Sequence, residues 1–378
     1  ITLGTLAVTG TVGVTTNGGG NATLVNASGL NFAASNVGGA LDATATLGTL
    51  IDTGAITVAG ISAFTTSAQD ANILLDSTNA LTGAVTLTTA TAGGNTGDAS
   101  INNGTTALAI DTSTISGDLA LTTGAAITDD GTVTVLANLT ATTNDNDGAI
   151  TLGTLAVTGT VGVTTNGSGN ATLVNADGLN FAVSDVGGDL AATATLNDII
   201  DTGALTVAGA SVLTTAANSK NITLDAANNF TGAVTYKSQT GGDGAFNNVT
   251  FRNQGNVKID ADIDAAGDFF IDANNNGVVG GNFVVISTAG DITQGIALGV
   301  TGTSSFTTSA TGKSITLSTD TNAMGGDVTL VTSGGTGNAT VDNGTTELGL
   351  DTSTITGNLV LRAGAAITDD GTVTVGGN

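Results

Sequence analysis

The chain has 378 residues, including 57 Gly, 10 Phe and one Tyr, and it contains no Pro, Cys, His or Trp. Six basic residues stand against 31 acidic ones, for a net charge of −25. These facts exclude imidazole and thiolate catalysis, disulfide stapling and a nucleic-acid partner. Hydrophobic residues make up 40% of the chain, too many for an acidic disordered tail. Most are Val, Ile, Leu and Ala, which suit a thin, regular core. The absence of proline suits a backbone in which nearly every N–H enters a ladder. No apolar run approaches the length of a membrane span.

In chain order, the first element is an alternating stretch, ITLGTLAVTGTVGVTT, at residues 1–16. Residues 1–60 return at 150–209 with an offset of 149 and 50 of 60 positions identical. Where the copies differ, Leu50 becomes Ile199, Ile56 becomes Leu205 and Ala34 becomes Val183, so an inward position is expected at each. Ser28 becomes Asp177, Asn36 becomes Asp185, Ala40 becomes Asp189 and Thr49 becomes Asp198. Those four positions are expected to face water, because an unpaired buried carboxylate costs several kcal/mol. Further along, ILLDSTNALTGAVTL at 73–87 aligns with ITLDAANNFTGAVTY at 222–236, and 97–135 returns at 337–375 with an offset of 240. Residues 238–297 read as extra coils of the second block. The chain therefore divides into a first repeat block, 1–149, and a second, 150–378, within one continuous solenoid.

Throughout, the signal is a short alternation of period two broken by Gly, Asn and Asp, with no sustained helical stripe. Three such strands with their turns make a coil of roughly 20 residues, within the range of solenoid repeats. A strand this short buries too little surface alone, so each coil depends on its neighbour. The expected fold is all-β, a right-handed parallel β-helix, the hand following from the bias of parallel crossovers.

Two passages, GDITQGIALGVTGTSSFTTSATGKSITLSTDTNAMGGDVTLVTSGG (290–335) and DTSTITGNLVLRAGAAITDDGTVTVGG (351–377), resemble the shaft repeats of filamentous-haemagglutinin-like adhesins exported by two-partner secretion. The resemblance implies a β-helical fibre on the outside of a bacterium, serving attachment, biofilm cohesion or sheath building. Its partners would be further copies joined head to tail, and host-cell or matrix glycans. Ile1 falls in mid-strand and the chain stops at GTVTVGGN, so a segment of a longer periodic pattern is expected.

The best local metal pattern is DANNNG, in which Asp272, Asn274 and Asn276 with Gly277 match the first half of a calcium loop. The twelfth position is Phe283 instead of a bidentate Glu, and an Asn-rich turn explains the run as well. Calcium is the only cofactor the sequence suggests, and none is required. The neighbourhood of Arg252, Lys258, Asp260, Asp262, Asp264, Asp268 and Asp272 is the one place where a carbohydrate-active β-helix would put a groove. Alternation in KIDADID reads it as a solvated strand face, and the chain is read as a non-enzyme. A calcium-dependent matrix or S-layer-type protein is a further alternative. The pairs Asp129-Asp130 and Asp369-Asp370 are expected at corners, and Phe32, Phe181, Phe269 and Phe270 in the core. TVT and TLT triplets suggest an ice-binding solenoid, but they do not recur at one spacing, so a regular threonine array is not expected.

Overall fold

The computed structural model describes residues 1–91, 94, 96–145, 147–217, 220–232, 234–238, 248–253, 257–259, 278–279, 282–287, 290–294, 297–300 and 302–378. Among these every regular element is a β-strand, and the paired strands run parallel. The fold is a β-solenoid with coils of about 21 residues. The chain forms two compact units, Ile1–Asp177 with Asp185–Gly188, and Gly178–Ser184 with Asp189–Asn378.

Within the first unit a coil has three sides. One carries Ala22–Asn26, Leu41–Ala45, Ser62–Thr66 and Val85–Thr88 in successive coils. The second carries Leu30–Phe32, Leu50–Asp52 and Ile73–Leu75, and the third Ser35–Val37, Ile56–Val58 and Ala80–Leu81. Register is kept between Ala22–Asn26, Leu41–Ala45, Ser62–Thr66 and Val85–Thr88, and slips by one residue where Val85 faces Ile110 and Thr88 faces Thr114; the chain length between partners varies throughout. Ala22 stands beside Leu41, Leu41 beside Ser62 and Ser62 beside Val85, advances of 19, 21 and 23 residues. Ile73 and Ala99 are 26 apart, and Leu119 and Leu139 are 20 apart. Corner loops absorb these differences, since only the strands are bound to the ladder. In the second unit Asn248 pairs with Asn282, an advance of 34 within one coil.

Alternation along the strands sorts side chains as the sequence indicates. Leu41–Ala45 and Leu119–Thr123 bury every other residue. Leu50, Ile199, Ile56 and Leu205 are wholly buried, while Asn36, Asp185, Asp177 and Asp189 are exposed. Ala34 and Val183 correct the expectation drawn from their exchange: both are exposed, Val183 by 74%. They sit in the bends after Phe32 and Phe181, where the strict period of two lapses, so an apolar exchange there reports no burial. Phe32 and Phe181 are fully buried, and Phe32 meets Phe64 edge to face with ring centroids 6.4 Å apart.

Glycine abundance has a steric cause where corners stack. At Gly38 a Cβ would overlap the carbonyl of Gly18 in the adjacent coil, and at the equivalent Gly187 it would overlap that of Gly167. Backbone passes over backbone at these corners, and a side chain would force the coils apart.

Candidate functional site

The polar side chains concentrate at the corners, where they hold one coil to the next. Seven buried asparagines among the described residues share one task. Asn26, Asn79, Asn103, Asn175, Asn228, Asn322 and Asn343 each accept, through Oδ1, a backbone N–H from Val8, Ile56, Leu81, Val157, Leu205, Leu298 and Met324, at 2.7–2.9 Å. The Nδ2 of Asn103 donates in turn to the carbonyls of Leu81, Thr106 and Ala107. An asparagine fits because it carries donor and acceptor together and satisfies a backbone that turns away from its ladder.

A second, exposed ladder of Asx side chains climbs one corner of the first unit. Asp98 N–H donates to Asn72 Oδ1, Asp118 N–H to Asp98, Asn138 N–H to Asp118 and Thr160 N–H to Asn138, all at 2.8–2.9 Å. Threonines close the corner loops from within. Thr66 donates its hydroxyl to Ala71 O, Thr143 to Gly148 O and Thr332 to Gly337 O, at 2.8–3.0 Å.

One carboxylate is drawn inward. Asp201 is 8% exposed and accepts from Asp225 N–H at 3.0 Å and from Asn228 Nδ2 at 2.6 Å. Burial raises its pKa above the usual carboxylate value, and the bonds from Asn228, Ala226 and Asp225 oppose that rise only in part. Tyr236, also buried, is pushed well above its ordinary value by desolvation and then by the charge of Asp201. The first copy repeats the corner with Asp52 accepting from Asn79 Nδ2 at 2.7 Å. A third version is neutral: Gln294 donates Nε2 to Asn322 Oδ1 at 2.7 Å and accepts from Asn322 Nδ2 at 3.0 Å.

The calcium candidates Asp272, Asn274 and Asn276 lie outside the described residues, as do Asp260, Asp262, Asp264 and Asp268. Among the described residues no group of three or more acidic side chains is placed to hold a metal ion. Asp129 is the last residue of the strand Ile127–Asp129, beside a break between two strands of one side and not at a corner between sides, and it spends its carboxylate on the N–H groups of Gly153 and Thr154 at 2.8 and 2.7 Å. Asp147 accepts both the N–H and the hydroxyl of Ser168, which hold its pKa below the usual value. No helix of the described residues is long and apolar enough to cross a membrane. The Asp201–Asn228 corner escapes a reading of the sequence because both copies carry Asp there. The phrases LDSTNAL, LDAANNF and LSTDTNAM do show a recurring Asn before an inward residue, which is the available signal.

Parallel coils bound by internal asparagine and threonine bonds define a β-solenoid repeat protein. The recurrence extends beyond this chain. The chain belongs to the family described as repeats of unknown function (DUF5649), whose model matches residues 19–88, 96–147, 168–237, 240–331 and 336–378. The starts at 19 and 168, and at 96 and 336, reproduce the offsets of 149 and 240. No curated protein and no solved structure matches the chain.

Proposed function

We propose that this chain is a structural and adhesive segment of an extracellular bacterial fibre, of the filamentous-haemagglutinin-like kind, that acts in attachment, biofilm cohesion or sheath building. The observation that carries the reading is where the polar chemistry goes. Buried Asn, and Asp129 and Asp201, spend their bonds on neighbouring coils, and buried Thr closes the corner loops within a coil, so the architecture serves to hold a repeat in register. In this reading the chain is not an enzyme and requires no cofactor. Its partners are further copies or repeats of the same kind, together with surface or matrix glycans.

The test uses the native producing cells. Protease shaving of intact cells, followed by detection of peptides from residues 1–378, is expected to release them from the surface. Electron microscopy of the released material is expected to show filaments. Peptides protected in intact cells, or release only as compact globular particles, would overturn the fibre reading.

A further inference from the structure

The outward positions of the first unit hold a feature that the sequence conceals. Thr44 stands beside Thr65, Thr65 beside Thr88, Thr88 beside Thr114 and Thr114 beside Thr134, each pair in direct parallel register. The intervals are 21, 23, 26 and 20 residues, so no fixed period appears in the sequence, yet the ladder sets the five side chains in one column. All five are half-buried on the outer face and flank the inward Ala43, Phe64, Leu87, Ser113 and Val133. Rise along the column is that of hydrogen-bonded strands, about 4.8 Å. Thr86 stands two residues from Thr88 on the same face, and Thr128, Thr151 and Thr172 form a second rank in register on this sheet. The expectation that unequal spacing rules out a threonine array is thereby corrected. Strand propensity favours threonine at each outward position, and runs of three recur at Thr122, Thr142 and Thr164 and at Thr293, Thr316 and Thr340; the column here extends to five.

We propose that this threonine face binds ice. A hydroxyl bonded to liquid water gains almost nothing by exchanging one partner for another. The gain comes only if many hydroxyls and methyls meet a solid lattice at a repeat they already hold, because the ordering cost has been met in folding. The backbone ladder fixes that repeat, and the corner bonds of Asn103, Thr66 and Thr143 hold the same coils. Charge selects the same partner. In a chain of net charge −25 whose first 219 residues carry no Lys or Arg, the column itself is uncharged, as the surface of ice is. Anionic polymers are repelled, and cationic ones are drawn to the Asp-bearing corners and to Asp42, which shares the outward face of Leu41–Ala45 with Thr44. The second copy supplies a natural control: Thr193 and Thr214 repeat the column, but Lys237 stands where the first copy has Thr88. The inference goes beyond the fibre reading and does not depend on it.

The experiment freezes part of a solution of the purified full chain slowly and measures its partition into the ice, together with inhibition of ice recrystallisation. The chain is expected to be enriched in the ice and to arrest crystal growth. Thr88→Lys, which the second copy already tolerates, is expected to lose both effects while its circular dichroism stays that of the parent. Should that variant fail to fold, Thr65→Ala with Thr114→Ala serves instead, since Ala63 already occupies an outward site on this sheet. Exclusion of the parent chain from ice would overturn the proposal. So would full activity in either folded variant, or retention of the parent on a neutral polysaccharide without any effect on ice.

Discussion

Single residues decide the corners, and two substitutions separate their roles. Asn103 satisfies Leu81 N–H and three carbonyls, so Asn103→Ala leaves several buried groups unpaired. At about 1–3 kcal/mol for each unsatisfied group, urea unfolding is expected to show a loss of roughly 3 kcal/mol or more. Asp201 behaves oppositely. Its pKa is raised in the folded state, so the folded protein binds a proton that the unfolded chain has released. Stability from this group is greatest below the ordinary carboxylate pKa, falls as pH rises toward the folded value, and stays low above it. Asp201→Gln, the residue type already present at Gln294, is expected to remove that slope and to melt at or above the parent temperature at pH 7. Melting curves from pH 3 to 8 check it, and an unchanged slope in the variant would place the titration elsewhere.

At the level of strands and corners, inside and outside follow alternation within a strand and lapse in the bends. Val133 is wholly buried and Asn36 exposed. Val133→Asp is therefore expected to cost several kcal/mol and to unfold the coils around it, while Asn36→Asp is expected to be silent, as Asp185 in the second copy indicates. Hydrogen exchange across 110–160 reads the first, and the melting temperature reads the second. Gly38→Ala is expected to destabilise more than a surface substitution, because the new methyl would meet Gly18 backbone that cannot swing away. The calcium pattern at Asp272, Asn274 and Asn276 is tested by substitution as well. If Asp272 holds the ion, Asp272→Ala is expected to abolish the rise in melting temperature caused by millimolar Ca²⁺. A rise unchanged in that variant would assign the effect to general screening.

Charge is a property of the whole molecule. A net charge of −25, with six cations against 31 acids, makes repulsion among carboxylates the larger electrostatic effect, and among the described residues the ion pair between Lys313 and Asp291 spans 3.8 Å with both partners partly exposed. Raising ionic strength from about 0.01 to 0.15 M shortens the screening length from about 30 to 8 Å, and is expected to raise the melting temperature. A fall on adding salt would mean that attractive pairs dominate instead.

The sequence by itself determined the fold class, the coil length and the faces of most strands. Alternation and repetition are local signals, and the two near-identical copies expose which positions tolerate charge. It also placed Phe32 in the core, whereas Asp129, expected at a corner, ends a strand within one side. Which residues stand side by side was decided only by the tertiary structure. Register joins residues 19 to 35 apart, and the loops between them vary in length without leaving the ladder. For that reason the threonine column from Thr44 to Thr134 and the inward Asp201 corner were not legible. In the column, unequal intervals hide a spatial repeat. At Asp201, a hydrophilic residue type common to both copies points toward partners that lie a full coil away.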